Sequence, residues 1–384
     1  MKPIQLVDLL GQYNKIKDEI DKAVLDVVGS SAYIMGPEMK QFETELANYL
    51  NAKHVIGCAN GTDALQIALM ALDLQPGDEV ITPSFTYIAT AEVIALLHLK
   101  SVFVDVDPET FTVTPEAIEK AISPNTKAII PVHLYGQCAD MEPILEIAKK
   151  HNLAVIEDTA QAIGAEYTFS DGSSRKAGTM GDFGCTSFFP SKNLGAFGDG
   201  GAIFTNNDEL NKKVRMIANH GQKRKYYHDV IGVNSRLDSI QAAVLRIKLK
   251  HLDEYAAARN HAADFYDEKL ANISDISVPK RSEKSTHVFH QYSLKLNGME
   301  RDAFQEELKA KGIPSNVYYP LPIHLQKGFE KADCRKEDLS VTEDLMQHVI
   351  SLPMHTELTE DQLQYITDTV TEFAKKNVSV SQPV

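Results

Sequence analysis

Short apolar segments rich in β-branched residues alternate with helix-like segments from about residue 54 to residue 205 of this chain. Several of them are apolar at nearly every position, which is typical of strands covered by helices on both faces. The alternation therefore predicts an α/β domain with a largely parallel sheet. The predicted strands are His54–Cys58, Glu79–Thr82, Val102–Asp107, Lys127–His133, Ala154–Glu157, Cys185–Phe189 and Gly201–Thr205.

The helical segments divide the chain into two parts. Asp63–Leu74 is apolar on almost every side and is expected to be a buried helix, whereas Met141–Asn152 has an ordinary amphipathic pattern. The pattern changes after Asn234, so we expect residues 1–250, including an N-terminal helical segment, to form a large domain and residues 251–384 a smaller α+β domain. Elements predicted after that change are a long helix at Asp238–Lys269, an exposed loop at Pro279–Thr286, weak strands at Gln291–Leu296 and Ser315–Tyr319, and a frayed tail at Lys375–Val384.

Charge and cysteine content exclude several classes of function. The 39 basic and 53 acidic residues among 384 give a net charge of −14, which disfavours general binding to nucleic acid or to an anionic membrane. The N-terminus has no signal-peptide pattern and no apolar run reaches membrane-spanning length, so we expect a cytoplasmic protein. The four cysteines lie far apart without zinc-like spacing, and neither a metal site nor a disulfide framework is expected. They are Cys58, Cys138, Cys185 and Cys334.

The sharpest chemical signal is Lys192, which lies in a predicted turn between two apolar strands. Ser187 and Ser191 precede it, and four glycines follow between residues 195 and 201. A lysine held at the base of an apolar strand-turn-strand unit is desolvated, so its pKa falls and its amine becomes nucleophilic toward a carbonyl. The glycines alone are equally explained as tight-turn residues, but that explanation leaves the lysine without a role.

Two further positions add to this signal. Asn60, Gly61 and Thr62 follow the first strand and open the buried helix, where free backbone N–H groups bind phosphate well; Thr62 or Asp63 acting only as a helix cap is the alternative. Asp158 ends an apolar strand at the edge where open α/β sheets place ligands, although a strand-end aspartate is also often structural.

Together, these residue types meet the needs of pyridoxal 5′-phosphate. The helix terminus anchors a phosphate, an aspartate keeps the pyridine nitrogen protonated, and a lysine holds the aldehyde as an imine. The combination therefore predicts an enzyme that uses this cofactor, with pyridoxamine 5′-phosphate as its other form.

Five motifs also occur in a characteristic order along the chain. They are GCANGTDAL (Gly57–Leu65), PSFTY (Pro83–Tyr87), IEDTAQAIGA (Ile156–Ala165), TSFFPSKNLGAFGDGGAIFT (Thr186–Thr205) and GVNSRLDSIQAA (Gly232–Ala243). In this order the chain, from Ile4 to about Phe373, resembles the nucleotide-sugar aminotransferases of the DegT/DnrJ/EryC1/StrS family. The resemblance implies the aspartate-aminotransferase fold (fold type I), a homodimer with shared active sites, and amino transfer from L-glutamate to a nucleotide-linked keto-sugar.

The resemblance also implies roles for individual residues. Lys192 and Asp158 correspond to the catalytic lysine and to the partner of the pyridine nitrogen. Tyr87 is implied to stack on the pyridine ring, although a core aromatic is the alternative. The remaining implied cofactor contacts are Gln161 near the ring hydroxyl, Gly61, Thr62 and Ser187 at the phosphate, and Asn234 at the phosphate from the partner subunit.

The position of the amino group is inferred from the residues before Lys192. Family members that aminate C4 of the sugar often have histidine where this chain has Phe189, so the resemblance is to enzymes acting at C3. Among these the chain is most similar to enzymes that aminate UDP-2-acetamido-2-deoxy-3-oxo-glucuronate for bacterial O-antigen or other surface polysaccharide, including lipopolysaccharide. The alternative is a dTDP-3-oxo-6-deoxyhexose aminotransferase.

Candidate substrate contacts lie in two later segments. Arg236 is a cation for the uronate carboxylate or, alternatively, half of an ion pair between subunits. Tyr318, Tyr319 and His324 are candidates for contacts with the sugar or diphosphate, although the uronate enzymes are expected to have histidine at the position of Tyr318. The basic segment His220–Lys225 is compatible with binding a nucleotide diphosphate, with contacting the partner subunit, or with being a solvated face.

Two other functions remain to be weighed against this prediction. A sugar 3-dehydrase of the same family carries histidine in place of the catalytic lysine, so Lys192 argues against it. A non-catalytic ligand-binding or regulatory protein on the same fold is the second, and the joint presence of Lys192, Asp158, Gln161 and Asn234 argues against that.

Overall fold

The computed structural model describes residues 2–378. The α-helices of this range are α1 (Leu9–Lys15), α2 (Lys17–Ser30), α3 (Pro37–Leu50), α4 (Gly61–Ala71), α5 (Ala89–Leu96), α6 (Pro115–Ala121), α7 (Met141–His151), α8 (Asp208–Ile217), α9 (Ser239–Leu249), α10 (Leu252–Leu270), α11 (Arg301–Ala310), α12 (Ser340–His348) and α13 (Glu360–Val378). Its strands are β1 (His54–Cys58), β2 (Glu79–Pro83), β3 (Lys100–Val104), β4 (Thr126–Ile129), β5 (Ala154–Asp158), β6 (Glu166–Thr168), β7 (Ser174–Lys176), β8 (Phe183–Ser187), β9 (Gly201–Thr205), β10 (Gln222–Arg224), β11 (Tyr227–His228), β12 (Ile276–Ser277), β13 (Tyr292–Leu296), β14 (Cys334–Lys336) and β15 (Val349–Leu352).

The central element is an eight-stranded sheet in the order β1-β9-β8-β5-β4-β2-β3-β14. Only β9 runs against its neighbours; the pairs from β8 to β14 are parallel. The predicted α/β fold with a largely parallel sheet is confirmed. Because β1, β5 and β8 point the same way, their carboxyl ends lie at one edge of the sheet, which therefore gathers the segments that follow them.

All seven predicted strands form, with shifted bounds at several of them. The prediction extended the fourth strand to His133, but β4 ends at Ile129. Ile130 still donates its N–H to Ile81 O, and Pro131 has no N–H with which to continue the ladder. The backbone N–H donors from this strand to β2 therefore end at Ile130.

Helix α4 is buried, as its all-round apolar pattern predicts. It packs under the sheet beside α5, with Leu65, Ile67 and Leu69 in the core. Burying one such side chain contributes roughly 1.5–3 kcal/mol, so this helix is a major anchor of the sheet. Helix α7 buries one face, with Ile144 and Ile147 inward, which confirms its amphipathic pattern.

The chain after α9 builds a second core. Strands β12, β13 and β15 form an antiparallel sheet, and α10, α11 and α13 contribute to its apolar cluster around Tyr266, Phe304 and Leu363. Strand β14, from the same part of the chain, instead pairs with β3 and extends the large sheet. The division of the chain near residue 250 stays a prediction.

Three expectations for the second part need correction. The long helix predicted at Asp238–Lys269 is two helices, because α9 closes with tight bonds such as His251 N–H to Lys248 O at 3.0 Å before α10 begins. No strand forms at Ser315–Tyr319; a single bridge joins Asn316 to Ser351. Of the tail predicted to fray at Lys375–Val384, residues 375–378 belong to α13 and the rest lie outside the described range.

None of the helices within residues 2–378 combines the length and the apolar character that crossing a membrane requires.

Candidate active site

A cavity of about 850 Å³ opens at the carboxyl edge of the large sheet. Its wall includes the start of α4, the ends of β5 and β8, and the turn after β8. It also includes residues 316–319, which come from the second part of the chain. Of the twelve site residues expected from the sequence, the nine that line the cavity are Gly61, Thr62, Tyr87, Asp158, Gln161, Ser187, Lys192, Tyr318 and Tyr319.

The first turn of α4 and the end of β8 contribute adjacent parts of the cavity wall. The cap of α4 is Asn60, whose Oδ1 accepts from Asp63 N–H at 2.8 Å, so neither Thr62 nor Asp63 has the capping role considered above. Within the described range the N–H groups of Gly61 and Thr62 have no acceptor, as expected of first-turn groups. A Cβ on Gly61 would lie 2.7 Å from Ser187 Cβ, so only glycine leaves room between the two segments.

Asp158 is buried and held by two hydrogen bonds. Its Oδ2 accepts from Thr90 Oγ1 at 2.9 Å, and its Oδ1 accepts from Ala160 N–H at 3.1 Å. Burial raises the pKa of the carboxyl, while these two hydrogen bonds and the positive charge of Lys192 act in the opposite direction. Each oxygen keeps room for a further donor from the cavity.

Gln161 is fixed at both ends of its amide. Its Oε1 accepts from Tyr135 N–H at 2.9 Å, and its Nε2 donates to Tyr319 Oη at 3.0 Å. Tyr135 has φ of +58° and its hydroxyl donates to Tyr318 O, so residue 135 connects the end of the large sheet to the 318–319 segment. This network fixes one side wall of the cavity.

Lys192 lies in the turn after β8, where its N–H donates to Phe189 O at 2.8 Å. Its side chain is partly buried and faces the cavity that Asp158 also lines. Burial lowers the pKa of the amine to about 8, and the carboxylate of Asp158 partly opposes that change. Such an amine is far more often neutral near pH 7 than an exposed lysine, as nucleophilic chemistry requires.

The aromatic residues of the wall differ in exposure. Tyr87 is 59% exposed, with its ring centroid 6.4 Å from that of Tyr319, whereas its neighbour Phe85 is fully buried in the core. The structure therefore places Tyr87 on the cavity and not among the core aromatics. Tyr318 and Tyr319 are partly buried beside it.

Three residues of the expected set are not in the cavity of their own chain. Asn234 is exposed, and Arg236 is partly buried without an ion pair or hydrogen bond in the described range. Between them, Ser235 is buried and its Oγ accepts from Ala59 N–H at 3.0 Å, so this segment lies close to the start of α4. His324 is buried elsewhere: its Nδ1 is 2.7 Å from Ser84 Oγ and its Nε2 is 3.2 Å from Glu343 Oε1.

Sequence reasoning missed several residues in or beside the cavity. Thr90, which hydrogen-bonds Asp158, lies on α5, where its buried hydroxyl was the only available signal. His290 and Gln291 enter from the segment before β13, and His290 Nδ1 has no partner in the described chain. Burial, with Lys192 and Arg259 nearby, holds the pKa of His290 well below its usual range, so this imidazole is neutral.

The charge on the wall is mostly negative. Among the described residues that line the cavity, Asp63, Asp158 and Asp199 are acidic. Lys192 is the one basic residue there besides the neutral His290. One chain therefore supplies little positive charge for an anionic ligand.

The segment His220–Lys225 forms part of an exposed hairpin of β10 and β11. Antiparallel pairing joins Gln222 to His228, and the guanidinium of Arg224 lies 3.6 Å from the ring centroid of Tyr227. The hairpin projects cations from a chain that is otherwise acidic.

The cavity suits pyridoxal phosphate on structural grounds. The free N–H groups of Gly61 and Thr62 and the hydroxyl of Ser187, all on the cavity wall, suit a phosphate. The buried Asp158 and the partly buried Lys192 suit the ring nitrogen and the aldehyde, respectively. The residues present therefore fit this cofactor.

Comparison with known proteins places the chain among enzymes. The model of the DegT/DnrJ/EryC1/StrS aminotransferase family matches residues 14–371. The chain is 48% identical over 372 residues (96% of it, 98% of the relative) to a pleiotropic regulatory protein of Geobacillus stearothermophilus. It is 47% identical over 368 residues (96% and 99%) to UDP-2-acetamido-2-deoxy-3-oxo-D-glucuronate aminotransferase of Pseudomonas aeruginosa. It is 46% identical over 367 residues (96% and 97%) to the UDP-N-acetyl-3-dehydro-alpha-D-glucosamine 3-aminotransferase of Acidithiobacillus ferrooxidans.

One similar solved structure contains a bound cofactor. The chain is similar to NtdA from Bacillus subtilis with bound pyridoxamine phosphate, at a TM-score of 0.86 and 34% identity, covering 96% of this chain and 83% of that one. The fold, the cavity and the match over nearly the whole length agree, and the chain therefore belongs to the pyridoxal phosphate-dependent DegT/DnrJ/EryC1/StrS aminotransferase family.

Proposed function

We propose that this enzyme transfers an amino group from L-glutamate to C3 of a UDP-linked 3-keto sugar, with UDP-2-acetamido-2-deoxy-3-oxo-glucuronate as the substrate. Nearly equal identity to two relatives named for UDP-linked 3-keto sugars supports the nucleotide and the carbon. The product would serve bacterial surface polysaccharide synthesis, such as that of O-antigen, because nucleotide-linked amino sugars are activated donors. The dTDP-linked 6-deoxy sugars are the alternative substrates.

The unpaired guanidinium of Arg236 is the observation that favours a uronate over a sugar with a neutral C6. Arg236 is partly buried and has no acidic partner in the described chain, so its guanidinium is free to meet a charge from outside it. A carboxylate on the substrate would pair with it through two parallel hydrogen bonds.

Arg236 and Asn234 reach an active site only across a homodimer. Neither lines the cavity of its own chain, and that cavity has too few cations for the cofactor phosphate, a diphosphate and glutamate. We therefore place Asn234 at the phosphate and Arg236 at the sugar of the partner's site. The hairpin around Arg224 is a candidate for binding the nucleotide diphosphate. Alternatively, this hairpin contacts the partner subunit.

Exposed apolar side chains support this dimer. Leu10 and Leu25 are each 67% exposed on α1 and α2, and Phe197 is exposed beside the Lys192 turn. Tyr13 joins the two regions because its ring packs edge-on against Phe197 at 5.8 Å. A continuous apolar surface of this kind marks an interface, and a second copy would cover it next to the active site.

The roles of the chain's own residues follow from the geometry. When bound, pyridoxal phosphate supplies the electrophilic carbon and the electron sink that amino transfer needs. Gly61, Thr62 and Ser187 would bind its phosphate, Tyr87 would cover one ring face, and Gln161 would contact the ring hydroxyl. Asp158, oriented by its hydrogen bond from Thr90, would keep a proton on the ring nitrogen.

Lys192 has two tasks in this proposal. Its amine would hold the cofactor in the resting enzyme, and once free, Nζ is placed to take a proton from Cα of the amino donor. Nζ returns a proton to C3 of the sugar in the second half of the cycle. Tyr318 and Tyr319 lie where the sugar would enter.

Product analysis tests this function directly. The holoenzyme is presented with glutamate and with UDP- or dTDP-linked 3-keto and 4-keto sugars, and mass spectrometry follows the amino sugar and 2-oxoglutarate. We expect the UDP-linked 3-oxo-glucuronate to react fastest. A preference for a dTDP-linked 6-deoxy sugar would overturn the substrate assignment, and no product with any keto sugar would overturn the proposed function.

A further inference from the structure

A buried lysine outside the cavity contacts the turn that carries Lys192. Lys248 lies on α9 and is only 2% exposed. Its Nζ donates to Gly195 O at 2.8 Å and lies 4.8 Å from the ring centroid of Phe197. Within residues 2–378 no carboxylate pairs with it, and burial lowers the pKa of its amine to about 8. Buried lysines without an acidic partner are rare, because desolvating the charge is costly.

Gly195 O belongs to a turn with no spare room. A Cβ on Gly195 would lie 2.2 Å from Pro190 O, so the two sides of the turn around Lys192 are in direct contact. Gly195 is buried, and its carbonyl accepts from Lys248 Nζ. Without Lys248 it would be an unsatisfied buried acceptor, which a backbone avoids by moving.

Helix α9 holds the same segment at a second point. Gln241 precedes Lys248 by seven residues and so lies on the same face of α9. Its Oε1 accepts from Phe197 N–H at 2.8 Å. On the opposite side of the turn, Asn193 Nδ2 donates to Val288 O at 2.8 Å. The turn is therefore fixed by side chains on both sides, with two of the three contacts on α9.

We propose that Lys248 is a positioning residue, which fixes the turn by holding the Gly195 carbonyl and so sets where the Lys192 amine lies relative to Asp158. The inference rests on the catalytic role proposed for Lys192. An apolar residue of similar length would fill the same space at lower desolvation cost. We therefore infer that the role of Lys248 depends on its amine, which donates to Gly195 O.

The test compares Lys248→Met with Lys250→Met, a matched change at an exposed lysine two residues later. Hydrogen exchange of the protein without cofactor is followed by mass spectrometry for the peptide covering residues 192–198. We expect faster exchange there in Lys248→Met and wild-type exchange in Lys250→Met. This readout reports the turn whether or not Lys192 is catalytic, so it separates failure of this inference from failure of the proposed function.

Kinetics and spectroscopy supply the second readout. In Lys248→Met we expect kcat to fall about tenfold or more while KM for glutamate changes little, because Lys192 is misplaced and the substrate contacts are not. The pH titration of the bound cofactor's visible absorbance should shift for the same reason. Wild-type exchange, kcat and titration in a folded Lys248→Met would overturn the proposal. If that variant does not fold, Gln241→Leu is the deciding variant. Faster exchange at residues 195–198 would support the proposal that side chains of α9 fix the turn, and unchanged exchange would contradict it.

Discussion

Thr90 Oγ1 donates a 2.9 Å hydrogen bond to Oδ2 of Asp158, from a helix that otherwise contributes only apolar side chains to the core. Both residues are buried, so the hydroxyl orients the carboxylate and stabilises its charged form. Through this hydrogen bond, the packing of α5 against the sheet fixes the orientation of the Asp158 carboxylate in the cavity.

Asp158→Asn should slow turnover strongly at saturating cofactor, because an amide leaves the ring nitrogen largely unprotonated. By analogy with other preorganised groups, we expect a barrier increase of about 2–4 kcal/mol. Thr90→Val should have a smaller effect in the same direction, and Thr90→Ser, which keeps the hydroxyl, should stay close to wild type. Steady-state rates of the three variants check the order, and a near-normal rate in cofactor-loaded Asp158→Asn would refute the role.

Lys192→Ala should fold and still bind cofactor without a covalent bond, yet show no turnover, since no other amine lines the cavity within the described chain. Borohydride reduction of the wild type followed by peptide mapping identifies the attachment point. We expect the pyridoxyl group on Lys192. Its recovery on any other lysine would exclude the assignment.

The amine of Lys192 should have a lower pKa than an ordinary lysine in the protein without cofactor. Burial disfavours the charged form, so its pKa falls from the usual 10.5 to about 8, and about a tenth of the amine is neutral at pH 7. Reaction with an amine-directed reagent, followed by mass spectrometry at each pH, should rise to a plateau with a midpoint near pH 8. A midpoint in the range of ordinary lysines would contradict the desolvated site.

Asn234 should act across the dimer. Lys192→Ala and Asn234→Ala chains are each expected to be inactive, but a mixed dimer would hold one site with both changes and one with neither. Random mixing should then restore about a quarter of wild-type activity. Mixing Lys192→Ala with Asp158→Asn is the control and should restore nothing, because both residues line the cavity of one chain. No recovery in the first mixture would place Asn234 at its own subunit's site.

Arg236→Leu should discriminate between sugars. If the guanidinium pairs with the uronate carboxylate, the specificity constant for the UDP-uronate should fall by one to two decades, as expected for a charge-assisted contact of ~1.5–3 kcal/mol. The matched UDP-sugar with a hydroxymethyl group at C6 should lose much less. Equal losses on both would mean that Arg236 binds phosphate or the partner chain.

Local patterns were sufficient for the sheet and for much of the cavity. Strands buried on both faces are apolar throughout, so β1 to β9 of the large sheet could be located from their composition, and strand-end residues such as Asp158 then follow from the geometry of parallel sheets. The break at Lys250–His251 and the missing strand at Ser315–Tyr319 were not predicted, because no glycine or proline lies within either segment.

The sequence alone determined the α/β fold, the family and the residue types that meet the cofactor, because these depend on local periodicity and on motifs within short segments. Only the tertiary structure decided which residues share the cavity. His290 and Gln291 enter it from a distant segment, whereas His324 lies outside it and contacts Ser84 and Glu343. Such contacts join residues far apart in the chain, and their partners depend on how helices and strands pack, which no local pattern records.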